Sequence, residues 1–408
     1  MLDKVVLAYS GGLDTSVAIR WLKGRYNLEV ITLTVDIGNV ADLEAIRQKA
    51  LHVGAIKALV VDAKESFINS FVFPALQADA VYEGQYPLAT ALGRPLIAQL
   101  LVETAKREGA AAVAHGCTGK GNDQVRFDVS VAALAPELKV IAPAREWKMT
   151  REQTIEYAQT HNIPIPITRA SPYSIDENLW GRSIECGVLE DPWNEPPEDI
   201  FAWTKSPKET SNEPAYLEIG FDKGIPVSLD GEKLDGVTLV QRVHKLAGQH
   251  GIGRIDHVEN RLVGIKSREI YEAPAAIVLL KAHQALESLV LAKEQLRFKA
   301  KVASEYADLI YNGLWFTGLR QDLAAYVESS QRYVAGTVRV KLFKGNCQVV
   351  GRKSPYSLYD YGLATYDKGD AFDQSASPGF IHIWGLPVRT QAKIQSPFHQ
   401  KRNTKGQR

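Results

Sequence analysis

Short apolar runs alternate with amphipathic stretches through the first 165 or so residues of the chain. The runs are typical of buried strands and cover Lys4–Tyr9, Glu29–Val35, Ala58–Asp62, Ala111–His115 and Lys139–Ile141. Between them, Leu43–Val53 and Pro95–Glu108 have helical periodicity, and Gly109 ends the second helix. This alternation predicts a parallel sheet covered on both faces, with ligands bound beyond the carboxyl ends of its strands.

The pattern changes near Ile163–Pro166, and a proline-rich, helix-poor stretch follows from Glu190 to Pro214. Beyond it, the sequence predicts strands at Tyr216–Phe221, Ile225–Ser228, Thr337–Phe343 and Cys347–Gly351, and helices at Ala273–Leu291 and Ser304–Tyr311. Strands and helices that are not alternating indicate an α+β domain. We therefore divide the chain into residues 1–168, 169–356 and 357–408.

The last of these segments contains a predicted helix over Ser357–Asp367 and an apolar run, Phe380–Trp384, that we expect to be exposed. It ends in a polar tail, His399–Arg408, whose basic residues are Lys401, Arg402, Lys405 and Arg408. Because the whole chain is nearly neutral, we interpret the tail as a solvated terminus rather than a nucleic-acid contact.

Composition narrows the class of protein. The 408 residues are 45% hydrophobic and 23% charged, with a formal net charge of +1, as in a soluble globular enzyme. This charge gives no bulk attraction for nucleic acid, and no apolar run approaches the roughly 18–20 residues that span a bilayer. The N-terminus leads directly into a strand, so we expect no signal peptide. Cys117, Cys186 and Cys347 form no CxxC pair, which favours the reducing cytoplasm.

A glycine pair follows the first strand. Ser10, Gly11 and Gly12 precede Asp14, Thr15 and Ser16, which open a helix. Glycines allow a ligand to approach the backbone, and free N–H groups at a helix start bind anions. The loop is neither GxxxxGK[ST] nor GxGxxG. Helix capping by Asp14 or Thr15 is the alternative, although it explains one polar residue and not two glycines with three hydroxyls.

SGGLDTS after a strand resembles the signature of the PP-loop ATP pyrophosphatases, which cleave ATP between the α and β phosphates. The resemblance implies an α/β fold in which a parallel-sheet nucleotide-binding domain of PP-loop type (adenine nucleotide α-hydrolase-like) is followed by an α+β synthetase domain. The loop would then hold the departing pyrophosphate.

A second glycine-rich loop, between His115 and Phe127, mixes charges. Lys120 and Arg126 are basic, whereas Thr118, Asn122 and Asp123 supply neutral and negative partners. Such a mixture suits a zwitterion such as an amino acid, although a surface turn with scattered charge is the alternative. Cys117 beside His115 suggests a nucleophile, but alternate residues of a strand end point to opposite sides, which favours a passive cysteine.

Together, GCTGKGNDQVRF and AYSGGLDTS look like argininosuccinate synthase. Further stretches agree: Val81–Gly84, Ile141–Pro143 with Arg145–Trp147, Ser174–Leu179, Gly187–Trp193 and Val258–Arg261. The resemblance runs from residue 4 to about Pro387 and leaves out the polar tail.

The resemblance implies a ligase of arginine biosynthesis. The ureido oxygen of citrulline attacks the α-phosphate of ATP, pyrophosphate leaves, and aspartate displaces AMP from citrullyl-AMP to give argininosuccinate. Positioning and charge stabilisation carry such chemistry, so we predict no covalent nucleophile. Mg²⁺ is expected on the ATP phosphates, without a dedicated protein metal site. The family resemblance also implies a homotetramer in which a C-terminal helix reaches neighbouring subunits.

The resemblance assigns contacts residue by residue. The ATP contacts are Ala8, Tyr9, Ser10, Gly11, Gly12, Leu13, Asp14, Thr15, Ser16, Val35 and Gly116; the aspartate contacts are Thr118, Asn122 and Asp123; the citrulline contacts are Tyr86, Ala91, Asn122, Arg126, Ser174, Ser183, Glu259 and Tyr271. Arg126 suits a carboxylate and Glu259 an ammonium group. Some family members have serine where this chain has Ala91; either Thr90 supplies that hydroxyl or the contact is absent.

Two other hypotheses remain at this point. A different PP-loop enzyme, such as a tRNA-thiolating or GMP-forming one, would favour a reactive cysteine pair, a basic RNA-binding domain or a glutamine-hydrolysing partner. A nucleotide-sensing or scaffold protein would bind ATP without producing AMP.

Overall fold

The computed structural model describes residues 3–38, 42–164 and 172–395. Its first sheet contains five parallel strands: β1 (Lys4–Ala8), β2 (Glu29–Asp36), β3 (Lys57–Asp62), β4 (Ala112–Ala114) and β5 (Lys139–Ile141). They pair in the order β3-β2-β1-β4-β5, which confirms the predicted parallel sheet. Every residue of β2 from Val30 to Asp36 is buried, as expected of a strand covered on both faces.

Helices cover this sheet and connect its strands. They are α1 (Leu13–Tyr26), α2 (Leu43–Val53), α3 (Lys64–Phe67), α4 (Phe73–Gln77), α5 (Ala89–Glu108), α6 (Asp123–Leu134), α7 (Pro143–Glu146) and α8 (Arg151–Thr160). A π-helical turn over Ile68–Val72 joins α3 to α4. The predicted bounds of α2 are confirmed because both of its ends carry signals: the Asp42 side chain accepts the Ala45 N–H, and Gly54 ends the helix at φ 120°.

Helix α5 begins earlier than predicted. Proline favours the first turn of a helix, so the sequence placed the start at Pro95, whereas the helix starts at Ala89 and contains that proline. The hydroxyl of Tyr86 accepts the backbone N–H groups of Thr90 (2.9 Å) and Ala91 (3.4 Å). This cap comes from a tyrosine outside the helix, a residue type that sequence rules do not associate with capping.

Nine strands follow in the described residues: β6 (Ser174–Asn178), β7 (Gly181–Glu185), β8 (Ala215–Asp222), β9 (Ile225–Leu229), β10 (Glu232–Lys233), β11 (Arg254–Asn260), β12 (Lys266–Glu272), β13 (Gly336–Phe343) and β14 (Asn346–Lys353). They form two antiparallel sheets, in the orders β11-β12-β7-β6 and β10-β9-β8-β13-β14. The second sheet contains all four strands that the sequence predicted here. The first sheet was not predicted.

Helices α9 (Gly236–Gln249), α10 (Pro274–Val290), α11 (Lys293–Tyr311) and α12 (Gly318–Gln331) complete this part. Helix α10 confirms the predicted apolar helix, and α11 begins at Lys293 rather than Ser304. The stretch 190–214 holds only 3₁₀ turns, as expected. One apolar core includes residues of the parallel sheet and of α10, so both parts pack together.

Residues up to Tyr356 form one compact unit, and those from Ser357 form a second. The second unit contains α13 (Tyr361–Ala364), α14 (Ser377–Trp384) and α15 (Leu386–Gln395). The prediction of a helix over Ser357–Asp367 was therefore wrong for most of that range, since only Tyr361–Ala364 is helical. The Asp360 side chain starts one turn there, and no residue of α13 is buried to stabilise a longer helix.

The boundary between residues 168 and 169 and the polar tail at 399–408 lie outside the described residues, and the predicted three-part division stays a prediction. Among the described helices, none is both long enough and apolar enough to cross a membrane.

Candidate active site

A cavity of about 880 Å³ opens at the carboxyl ends of β1, β2 and β4. Most residues that the sequence assigned as ligand contacts line this cavity. They are Ala8, Tyr9, Ser10, Gly12, Leu13, Asp14, Thr15, Val35, Gly116, Thr118, Tyr86, Asn122, Asp123, Arg126, Ser174, Ser183, Glu259 and Tyr271. Gly11, Ser16 and Ala91 do not line it: Ser16 and Ala91 are fully buried, whereas Thr90 reaches the cavity. The structure thus brings nearly all the predicted contacts to one place, while their individual roles stay predictions.

The glycine loop presents backbone N–H groups to this cavity. Gly11 has φ +78°, a conformation that glycine adopts at no steric cost, and Gly12 precedes the first turn of α1. No side chain caps the start of α1, so neither Asp14 nor Thr15 performs the capping role considered above. Ser10 Oγ instead accepts the Gly12 N–H at 3.3 Å. An uncapped helix start is a ready anion site.

Lys49 supports the loop from behind and was missed by the sequence analysis. Its Nζ donates to the carbonyl oxygen of Gly11 at 2.6 Å, although the two residues lie 38 positions apart. Burial lowers the pKa of Lys49 below its ordinary value. The cation lies on α2, outside the loop where a Walker lysine would be sought, which is why no motif revealed it.

Gly116 brings the β4 loop against the glycine loop. A Cβ at this position would lie 2.9 Å from Thr15 Cγ2, and Thr15 cannot turn away without disturbing its contacts to Ser10 Oγ (3.2 Å) and Gly12 O (3.4 Å). For ATP, the ligand that the sequence predicts at this loop, we expect Gly116→Ala to raise the KM about tenfold, since overpacking costs about 1–3 kcal/mol.

Steady-state kinetics with ATP varied would measure this effect. Gly119→Ala is the matched control, because the nearest atom to its added Cβ is 4.0 Å away. Equal KM values for the two variants would contradict the packing argument.

The second glycine-rich loop places Asp123 between two guanidinium groups. The Asp123 carboxylate accepts from Arg94 Nε (2.9 Å) and from Arg126 Nη1 (2.9 Å). Burial alone would raise the pKa of Asp123, but Arg94 and Arg126 hold it below its ordinary value. Arg94 also pairs with Asp176 at 2.5 Å. No local sequence pattern predicts this role for Arg94, because its partners lie 29 and 82 positions along the chain.

Cys117 lies beside this network and is not set up as a nucleophile. Burial, together with Asp123, raises the pKa of its thiol. His115 does not approach the sulfur with a free nitrogen: Nδ1 accepts the Cys117 backbone N–H (3.2 Å), and Nε2 bonds to Asp128 Oδ1 (2.8 Å). The imidazole holds the loop rather than activating a thiolate.

One face of the sheet β11-β12-β7-β6 forms the opposite wall of the cavity. Tyr271 is paired with Ser183, and Ser183 with Asp176, so these side chains share a face. Two residues along their strands, Glu269 and Glu185 lie on the same face. All five line the cavity, which makes this wall polar and acidic.

Most of these carboxyl groups are neutralised within the wall. Arg261 Nη2 donates to Glu185 and, at 2.6 Å, to Glu269. Burial, Glu185 and Glu259 raise the pKa of Glu269 to about 9, so that it is protonated at neutral pH. Arg261, Glu185 and protonated Glu269 therefore carry no net charge together.

Glu259 differs from the other acids of the wall. It is 3% exposed, and its two oxygens accept the hydroxyls of Tyr271 (2.5 Å) and Tyr311 (2.6 Å). None of the ion pairs among the described residues includes Glu259. Tyr86 stacks on Tyr271 with ring centroids 4.3 Å apart, so aromatic rings lie next to the Glu259 carboxylate. Such a carboxylate suits an ammonium group of a ligand.

The parallel sheet and its anion-binding glycine loop define a nucleotide-binding protein of the HUP class. Residues 4–164 match the family model described as the arginosuccinate synthase N-terminal HUP domain. Residues 173–391 match the model of the arginosuccinate synthase C-terminal domain. The chain belongs to the argininosuccinate synthase family.

Relatives that match along nearly the whole chain support the same family membership. Argininosuccinate synthase of Dehalococcoides mccartyi is 62% identical over 405 residues, covering 99% of this chain and all of the relative. That of Symbiobacterium thermophilum is 61% identical, covering 96% and 98%, and that of Gloeobacter violaceus 59%, covering 96% and 99%. The family resemblance stated from the motifs is confirmed.

Proposed function

We propose that this chain ligates citrulline and aspartate to argininosuccinate at the expense of ATP, releasing AMP and pyrophosphate. One observation carries the proposal. A single cavity contains an uncapped glycine loop for a phosphate group together with Arg126 and Glu259, a cation and an anion for the two charges of an amino acid. Full-length relatives named argininosuccinate synthase support it.

The reaction has two displacements. In the first, the citrulline ureido oxygen forms a bond to the α-phosphorus of ATP, the bond between the α-phosphorus and the bridging oxygen breaks, and pyrophosphate leaves. In the second, the aspartate amine forms a bond to the ureido carbon, the carbon–oxygen bond of citrullyl-AMP breaks, and AMP leaves with that oxygen while the amine loses a proton. Both steps need alignment and charge stabilisation rather than a covalent nucleophile.

This chain's residues supply that alignment. Backbone N–H groups at the start of α1 hold the leaving pyrophosphate, with Lys49 adding positive charge behind the loop. Arg126 takes the citrulline carboxylate and Glu259 its ammonium group. Thr118, Asn122 and Asp123, which share the same cavity, receive aspartate.

Mg²⁺ enters this scheme as the companion of ATP. Asp14 lines the cavity at the first turn of α1 and is exposed to it. One carboxylate together with substrate phosphates is a usual donor set for Mg²⁺, so the residues fit a phosphate-bound ion better than a protein cage. When bound, the ion neutralises part of the pyrophosphate charge.

Asp123→Ala is expected to weaken aspartate use more than citrulline-dependent adenylation. The variant removes the carboxylate that would face the aspartate ammonium group, and it frees Arg94 and Arg126 from their shared partner. Release of AMP measured at varied aspartate, and release of pyrophosphate measured at varied citrulline, separates the two effects. Equal losses for both amino acids would count against the assignment.

Family membership does not favour the tRNA-thiolating or GMP-forming alternatives, and the sensor hypothesis is tested by product analysis. Purified protein is given Mg-ATP with citrulline and aspartate together, and then with each one omitted. We expect AMP, pyrophosphate and argininosuccinate in equal amounts with both amino acids present. ATP binding without AMP, or ADP and phosphate as products, would overturn the proposed function.

We also propose a homotetramer formed through the C-terminal unit. Apolar side chains of α14 and α15 are largely exposed there, including Phe380 (62%), Trp384 (74%) and Ile394 (70%), and such surfaces usually contact another chain. Light scattering would give the mass, and a monomer would contradict the proposal.

We further propose a cytoplasmic location. Cys117, Cys186 and Cys347 are free thiols, as is usual in a reducing compartment.

A further inference from the structure

Tyr311 lies behind the cavity wall formed by the sheet β11-β12-β7-β6 (the citrulline wall) rather than in it. It is the last residue of α11, is 1% exposed, and is not among the residues that line the cavity. Its ring stacks on Tyr82 with centroids 3.6 Å apart and meets Tyr86 edge-on at 6.4 Å. No motif described above includes it.

The hydroxyl of Tyr311 joins two of the predicted citrulline contacts in a directed chain. Asn122 Oδ1 accepts the Leu262 backbone N–H at 3.0 Å, so the amide nitrogen of Asn122 faces the other way. That nitrogen donates to Tyr311 Oη at 2.8 Å, and Tyr311 Oη donates its single proton to Glu259 Oε1 at 2.6 Å. The hydroxyl therefore fixes the orientation of both the Asn122 amide and the Glu259 carboxylate.

Tyr311 also holds Arg126. Its carbonyl oxygen accepts from Arg126 Nε at 2.9 Å, and its ring lies 4.9 Å from the guanidinium carbon. The chain that follows Tyr311 packs closely against the backbone of the same arginine. A Cβ on Gly313 would lie only 2.8 Å from Arg126 Cα. One residue thus contacts the predicted partners of both charges of citrulline.

We propose that Tyr311 is a positioning residue for citrulline, setting the Glu259 carboxylate and the Asn122 amide through its hydroxyl. The inference rests on the proposed function, because it presupposes that Glu259, Asn122 and Arg126 bind citrulline. Tyr311 itself touches no substrate. Its contribution is to remove rotational freedom from groups that do, so that less order has to be imposed when citrulline binds.

Tyr311→Phe tests this role because it deletes the hydroxyl and keeps the ring. A hydrogen bond to a charged group contributes about 1.5–3 kcal/mol, so we expect the KM for citrulline to rise about 10- to 100-fold. The KM for aspartate should rise less, through Asn122 alone, and the KM for ATP should stay within about twofold, since α1 is untouched. A purely structural role would not separate the three substrates in this way.

Tyr306→Phe is the matched control. Tyr306 lies on the same helix, is also 1% exposed, and packs its ring against Trp315 rather than the citrulline wall. We expect its loss of a buried hydroxyl to change the thermal midpoint but not the KM for citrulline. Thermal melts of both variants show whether each is folded, and calorimetric titration with citrulline gives a Kd if turnover is too slow to measure.

An unchanged KM or Kd for citrulline in folded Tyr311→Phe would overturn the positioning role, and so would equal increases for all three substrates. These results differ from failure of the proposed function, in which the wild-type protein would make no AMP from citrulline and aspartate.

Discussion

Replacing Lys299 with methionine is expected to lower the free energy of unfolding by about 3–5 kcal/mol. The Lys299 ammonium group contacts Asp79 and, at 2.7 Å, Glu287 Oε1. Lys299 and Glu287 have side chains only 3% exposed. Without the lysine, two buried carboxylates would share His283 as their remaining cation, and removal of one partner of a buried ion pair is costly.

Denaturant-induced unfolding would measure this loss, with Lys301→Met as control. Lys301 is exposed on the same helix, so its replacement should change stability by less than about 0.5 kcal/mol. Similar values for the two variants would show that the buried network contributes little.

The effect of Lys299→Met should depend on pH in a defined direction. Burial alone would raise the pKa of Asp79, but His283 and Lys299 hold it below its ordinary value of 3.8. A lowered carboxyl pKa contributes stability above the ordinary value and loses it as pH falls. The difference between wild type and variant should therefore be full near neutral pH and shrink in acid, below about pH 4.

Asp79, His283 and Glu287 lie close enough to resemble a metal site. The Lys299 ammonium group already contacts both carboxylates, so this cluster is neutralised by the protein itself. We interpret it as an ionic connection between α10, α11 and the chain after α4.

Glu259→Gln is expected to raise the KM for citrulline about a hundredfold or more, because loss of a buried charged partner costs about 2–5 kcal/mol. The amide keeps the size of the side chain but removes the negative charge that we propose faces the citrulline ammonium group. The KM for ATP should change little, since the glycine loop lies on the other wall of the cavity.

Glu269→Gln is the informative control for that experiment. Glu269 lies on the same wall, and its raised pKa of about 9 keeps it protonated at neutral pH. Its amide replacement therefore changes no charge and can still accept from Arg261. A much smaller increase is expected, and equal increases would mean that the wall recognises shape rather than the charge of Glu259.

The sequence predicted the parallel sheet well because both faces of its strands are apolar. The strands β6 and β11 were missed because the residues that face the cavity are polar, as in Ser174, Asp176 and Glu259, so apolar alternation is weak. The polar lining of the cavity thus obscures the strands that build this wall.

Residue types near the glycine loops could be read from motifs, but long-range partners could not. Lys49, Arg94 and Tyr311 meet their partners across 38, 29 and 189 positions, respectively. Local patterns carry no record of such pairings, because tertiary packing creates them. Tertiary packing also accounts for Ala91: the family resemblance assigned it to citrulline, whereas the structure buries it within α5, outside the cavity lining.

The most direct test of the central claim uses citrulline labelled with oxygen-18 in its ureido group. With Mg-ATP and aspartate present, we expect mass spectrometry to find the heavy oxygen in AMP, because that oxygen attacks the α-phosphorus and leaves with it. AMP formed without the label would contradict adenylation of citrulline, whatever the binding residues.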